Sequence, residues 1–140
     1  MLHQAITDLY KKIRLSHYRE LFGRIREKDG SLSATEAFAA DVIYLLGNPT
    51  LSQFAEAIGV SQPNATYKAN NLAAKGYVVK TLSEDDKREC RLAVSDKFFS
   101  YYDTSNAFLT EAVAKLKDVF TEEEMEMVEK LLVTLNDAVK

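Results

Sequence analysis

The chain has 140 residues, a formal net charge of −3, 46% hydrophobic and 28% charged residues, and a single cysteine. That length suits one domain and leaves no room for a separate catalytic one, and a lone cysteine excludes an intramolecular disulfide and suits a reducing compartment. No apolar run approaches a membrane span and the first residues, Asp8 among them, do not read as a signal peptide, so a cytoplasmic protein without a membrane partner is expected.

Leu2, Ile6, Leu9, Tyr10 and Ile13, then His17, Leu21 and Ile25, form an apolar stripe at helical spacing, predicting an N-terminal helix of about six turns. Ser33-Ala34-Thr35-Glu36 has the pattern of a capping box, in which the serine hydroxyl and the glutamate carboxylate satisfy each other's backbone N–H groups. The helix it opens is expected to turn Phe38, Val42, Leu45 and Leu46 inward and to stop at Gly47-Asn48-Pro49. Leu51, Phe54, Ala55 and Ile58 then mark one face of a short helix from Thr50 or Leu51 to Ile58. Gly59 follows, suited to the left-handed position that ends a helix because it has no Cβ to clash. Ser61 can cap the next helix, with Pro63 in its first turn where a missing N–H costs nothing. This helix is expected to reach Lys75, with Ala65, Ala69 and Leu72 inward and small enough for a close, steep crossing. Gln62, Thr66, Tyr67, Asn70 and Asn71 point outward, a set of neutral groups able to read base edges.

Gly76 closes that helix, and Tyr77 to Leu82 reads as a strand rich in β-branched and aromatic residues. The polar run Ser83 to Glu89 reads as a hairpin tip, and Cys90 to Ser95 as the returning strand with Cys90, Leu92 and Val94 on one side and Arg91 on the other. Asp96 to about Val119 is expected to be one long aromatic-rich helix. Thr121 to Glu124 is a further capping box, opening a last helix in which Met125, Val128, Leu132, Leu135 and Val139 form a packing seam. Two short helices joined by a tight turn and followed by a hairpin are the layout of a winged helix-turn-helix. The expected fold class is therefore mainly α with a small β-hairpin wing, flanked by terminal helices. A chain of this size cannot cover those apolar terminal helices alone, so they are expected to interlock with a second copy.

With these elements in place, the sequence resembles the MarR family of bacterial transcription regulators. The resemblance rests on Leu51-Ser52-Gln53-Phe54-Ala55, on Gly59 to Thr66, on Leu72-Ala73-Ala74-Lys75-Gly76-Tyr77-Val78, on Asp86-Lys87-Arg88 in the wing and on Leu92 to Lys97. It implies a single MarR-type domain: an N-terminal dimerisation helix over 1–30, a winged helix-turn-helix core over 32–95 and C-terminal dimerisation helices over 96–140. It implies a homodimer, with Leu2, Ile6, Leu9, Val128, Leu132 and Leu135 at the interface, bound to double-stranded DNA. Gln62, Asn64, Thr66, Tyr67, Asn70 and Asn71 are then the expected recognition-helix contacts, with Lys87 and Arg88 as wing contacts and Asp86 orienting the arginine through an ion pair. Tyr67 and Asn71 stand where arginines are frequent in the family, which argues against the usual guanine contact there. Since asparagine and glutamine favour adenine, an A·T-rich pseudo-palindrome is expected. The resemblance also implies a ligand-responsive repressor with a small-molecule effector pocket between the dimerisation helices and the DNA-binding lobe, for which Tyr10, His17, Tyr18 and Tyr102 are the candidates.

The charge distribution neither supports nor excludes DNA. Residues 1–30 carry a net +3, 31–49 a net −2, 50–95 a net +1 and 96–140 a net −5, so the acidity gathers in the C-terminal third. No Gly-rich phosphate loop, HExxH, CxxC or nucleophile elbow is present, so no enzyme, cofactor or metal site is expected. The two histidines are too few for a dedicated multi-histidine metal site, and Cys90 reads as small apolar filling in a strand. Gln62, Thr66 and Asn70 could be solvated surface, Tyr67 could lie against the wing, and the whole unit could be a protein-interaction module. The polar outer face of the recognition helix favours DNA over that last alternative.

Overall fold

Leu51, Phe54, Ala55 and Ile58 share the inward face of an eight-residue helix, and around them the first of two compact units is built, residues 1–102; the second spans 103–140. The structure is a computed structural model that describes residues 1–26, 32–82, 85, 89–102 and 105–140. In chain order the elements of the first unit are α1 (Leu2–Arg26), α2 (Ala34–Leu46), α3 (Leu51–Ile58), α4 (Gln62–Ala74), β1 (Val78–Leu82), β2 (Cys90–Val94) and α5 (Asp96–Tyr101).

The local signals form as expected. Ser33 Oγ accepts from Glu36 N–H at 3.2 Å while Ser33 N–H donates to Glu36 Oε1 at 3.1 Å, a complete capping box. Thr50 and Gln53 make a second one before α3 that the sequence reading passed over. Phe54 is fully buried, Leu51 and Ile58 pack beside it, and Ala65, Ala69 and Leu72 of α4 are all at zero exposure, so the two helices meet through small side chains. Gly59 ends α3 at φ +69°, where an added Cβ meets nothing within 4 Å. Gly59→Ala is therefore expected to cost only the backbone term, about 1–2 kcal/mol, read by urea denaturation; an unchanged midpoint would show that the turn does not depend on the left-handed conformation.

α2 differs from expectation. Ala37, Ala40 and Ile43 are buried, whereas Phe38 is 39%, Leu46 43% and Leu45 72% exposed. The helix packs against α1, α3, α4 and β2, and a helix so surrounded presents its small residues where backbones approach most closely. Val42 is half-buried as expected. The helix ends on two left-handed residues, Gly47 and Asn48, and Pro49 then accepts from Leu92 N–H at 2.8 Å while Thr50 forms a one-residue antiparallel bridge to Arg91.

β1 and β2 pair antiparallel with Val78 opposite Val94, Lys80 opposite Leu92 and Leu82 opposite Cys90. Leu92 and Val78 sit in the core with Tyr77. The hairpin tip residues Asp86, Lys87 and Arg88 lie outside the described residues.

The single long helix expected over Asp96 to Val119 is not formed. α5 stops at Tyr101, Tyr102 is extended at φ −106° and ψ 134°, and Asn106 is left-handed at φ +53° before α6 (Ala107–Leu116). The reason is tertiary: Phe98 and Tyr102 are buried and stacked at 4.4 Å between ring centroids, and the Tyr102 hydroxyl donates to the Ala37 carbonyl on α2. Asn106, a residue tolerant of the left-handed region, restarts the helix.

In the second unit, α6 and α7 (Glu122–Ala138) are joined by a capping box at Thr121 and Glu124. Neither helix contains a fully buried residue. Among the described residues, no helix is long and apolar enough to cross a membrane.

Candidate nucleic-acid interface

Ser61 places the start of α4 by accepting from Asn64 N–H at 3.3 Å, and the buried face of Ala65, Ala69 and Leu72 fixes its rotation. The opposite side is therefore outward. Gln62, Thr66 and Asn70, spaced four apart, form one line along it. Gln62, Asn64 and Asn70 are exposed, and Thr66 is half-buried with its hydroxyl donating to the Gln62 carbonyl at 2.9 Å. Asn70 Oδ1 accepts from Lys80 Nζ at 2.7 Å, which ties α4 to β1, the first strand of the wing.

Tyr67 and Asn71 make a neighbouring line. Tyr67 is 66% exposed and does not lie down on the wing. It borders a crevice of about 230 Å³ between α2 and α4, shared with Ser33, Thr35, Glu36, Lys68 and Asn71. Glu36 also pairs with Lys75 at 2.9 Å. Burial alone raises its carboxyl pKa, but hydrogen bonds from Lys75 and Ser33 outweigh it and hold the group below the ordinary carboxylate value.

The C-terminal end of α4 is held by groups outside the helix. Lys97 Nζ donates to the Lys75 carbonyl at 2.7 Å and lies 4.7 Å from the Tyr77 ring centroid, while Ser95 Oγ donates to the Gly76 carbonyl at 2.5 Å. A cation there also suits the negative end of the helix dipole. On the wing, Arg91 is exposed and fixed at its base: Nη1 donates to the Asn48 carbonyl at 3.1 Å and Nη2 pairs with Glu89 at 3.0 Å. Lys80, Arg91 and Lys97 were not among the site residues expected from sequence. For Lys80 the only local signal was a strand lysine three residues before the hairpin tip.

The residues proposed for an effector pocket do not share one environment. Tyr10 is 57% exposed, with the Arg14 guanidinium 5.7 Å from its ring centroid. His17 Nε2 lies 3.0 Å from Asp41 Oδ2, joining α1 to α2, and Tyr18 meets Phe38 edge-on at 6.2 Å. Burial pushes the Asp41 carboxyl up despite the opposing effect of His17. Tyr102 is core, its hydroxyl engaged by Ala37 and its pKa raised well above the ordinary phenol value by burial. Cys90 is a half-buried free thiol. Among the described residues, no group of three His, Cys, Asp or Glu side chains could hold a metal ion.

The expected interface residues are placed on open surface within their own units. Leu2 and Leu9 of α1 are 59% and 53% exposed and Ile6 is half-buried. Val128 and Leu132 of α7 are 46% and 50% exposed, with Leu135 half-buried. Val113, Leu116 and Phe120 face Met125, Val128 and Leu132 across a groove of about 650 Å³.

Residues 31–89 match the MarR family model. No curated protein matches the chain. Among solved structures, Streptococcus pneumoniae FabT in complex with DNA is 26% identical, with 96% of this chain and 95% of that one covered at a TM-score of 0.57. A mutant of MepR from S. aureus is 14% identical, covering 96% and 97% at a TM-score of 0.65. The transcriptional regulator Tm0710 of Thermotoga maritima is 18% identical, covering 96% and 94% at 0.59. The last two likenesses are of fold, and the fold is the one that the caps, the small-residue crossing and the hairpin build here. The winged helix-turn-helix within residues 31–89 is thus similar to that of the MarR family.

Proposed function

We propose that the chain is a transcription regulator that acts as a homodimer on double-stranded DNA in the cytoplasm, without catalysis, and that it represses by occupying a pseudo-palindromic operator. The observation that carries this reading is the outward polar line of exposed Gln62 and Asn70 with half-buried Thr66 between them, on a helix whose other face is locked in the core, with a two-stranded wing beside it. Such a helix presents hydrogen-bonding groups to a major groove without reorganising. The 26% identical FabT structure is a DNA complex, as is one MepR structure of the same fold. Residues 32–95 are the DNA-binding core in this reading, with residues 1–30 and 96–140 serving the dimer.

The two recognition helices of a dimer enter successive major grooves, reading half-sites about 10 bp apart. Gln62, Thr66, Tyr67 and Asn70 contact base edges and nearby sugar-phosphate, with Asn64 and Asn71 as further DNA contacts. The wing reaches toward the minor groove with Lys87 and Arg88, Asp86 steadying the arginine. A small-molecule effector favours a dimer whose helices no longer match the half-sites, and its influence is bounded by its difference in affinity for the two states. Of the pocket residues, Tyr10 and Tyr18 on α1 keep exposed rings that can meet such a ligand, whereas His17 is engaged by Asp41 and Tyr102 by Ala37.

Binding to DNA upstream of its own gene, measured by fluorescence anisotropy at two salt concentrations, tests the reading. Native protein is expected to bind selectively and to lose affinity steeply as salt rises. Asn70→Ala is expected to cost roughly 1–3 kcal/mol on the preferred sequence. Arg88→Ala is expected to weaken binding and flatten the salt dependence. A folded dimer with no selective binding at low salt would favour the protein-interaction alternative.

A further inference from the structure

The contact between Lys80 and Asn70 settles the orientation of a carboxamide on the recognition helix. An ammonium has three donors and no acceptor, so the atom 2.7 Å from Lys80 Nζ can only be the amide oxygen of Asn70. Asparagine favours adenine because one amide donates to N7 and accepts from the N6 amino group together. That second bond needs the oxygen. Here an ammonium already occupies one side of it, and an amino group approaching its remaining lone pair meets the same positive charge. Asn70 is left with its NH2 as the group for the groove, and the ammonium beside it adds further donors. Thr66, one turn earlier, spends its hydroxyl proton on the Gln62 carbonyl at 2.9 Å, so the donors nearest this end of the line are those of Asn70 and Lys80.

Guanine is the base whose major-groove edge offers two acceptors, O6 and N7, with no donor between them. We propose that Lys80 is a positioning residue for base recognition, and that the Asn70–Lys80 pair selects a guanine where asparagine alone would select adenine. This rests on the DNA-binding reading above, and it replaces the adenine expectation at that one position.

Selection of bound fragments from a random duplex library tests it, with native protein, Lys80→Met and Lys80→Arg carried in parallel after circular dichroism confirms each is folded. Lys80 is exposed, so neither substitution empties a core site. Native protein is expected to enrich guanine over adenine by about tenfold at one position in each half-site. Lys80→Met is expected to move that position toward adenine while the other positions keep their preferences. Lys80→Arg keeps guanine, because a guanidinium likewise only donates. If Lys80→Met weakens all sequences equally and alters no base preference, Lys80 is a phosphate contact and the proposal fails while the DNA reading stands. A native protein that enriches no sequence overturns the DNA reading and this proposal with it.

Discussion

Phe98→Ala is expected to destabilise the first unit by about 3–5 kcal/mol, the range for deleting a fully buried phenylalanine. Phe98 has no exposed surface and is enclosed by rings, Tyr102 at 4.4 Å and Tyr44 and Phe99 each at 5.4 Å between centroids. α5 has six residues, too few to persist without tertiary support. Its attachment therefore depends on Phe98 and on the Tyr102 hydroxyl that reaches the Ala37 carbonyl. Loss of the ring should loosen α5 and, through Ser95 and Lys97, the two side chains that hold the end of the recognition helix. Urea denaturation followed by far-ultraviolet circular dichroism would measure the cost. Protein concentration must be held constant, because stability depends on it for the homodimer proposed above. A loss under about 1 kcal/mol would show that neighbouring rings refill the site and that this packing is not what anchors α5.

Leu132→Asp is expected to yield a monomer and to lower operator affinity by about 10²–10⁴-fold, the gain that linking two binding events ordinarily supplies. α6 and α7 contain no fully buried residue within the chain. Leu132 lies in the groove between them, 50% exposed in a line with Val128. In a symmetric dimer the substitution occurs twice, and each carboxylate must be buried in apolar surroundings or keep the surfaces apart. Sedimentation equilibrium reads the first effect, with native protein at twice the 15.8 kDa chain mass and the variant at that mass. Anisotropy with the operator reads the second. A variant that remains dimeric, or that binds as tightly as native protein while monomeric, would remove α7 from the interface.

The helix-turn-helix was legible because its signals are local. A hydroxyl at Ser61 that caps α4, a glycine at 59 that turns left-handed, and apolar residues at 51, 54, 55 and 58 each act within about one helical turn. Such interactions are written into adjacent residues and do not wait for the rest of the fold. The capping boxes at Ser33 and Thr121 were readable for the same reason.

The inward face of α2 was not. Its larger apolar residues, Phe38, Leu45 and Leu46, suggested one side, but the close approach of neighbouring elements selected Ala37 and Ala40. Nothing in the spacing of residues 34–46 states how near another backbone will come. The break after Tyr101 has a comparable origin, since the Tyr102 hydroxyl finds its partner 65 positions away. At the candidate interface the sequence identified the polar face of α4, while the orientation of Asn70 was set by Lys80, ten residues later and on a strand. The sequence by itself thus determined the helix-turn-helix, the caps at Ser33, Ser61 and Thr121 and the likeness of the winged helix to the MarR family. The tertiary structure decided which face of α2 is buried, where the aromatic segment breaks and which atom of Asn70 is engaged by Lys80, because each depends on groups that only folding brings within bonding distance.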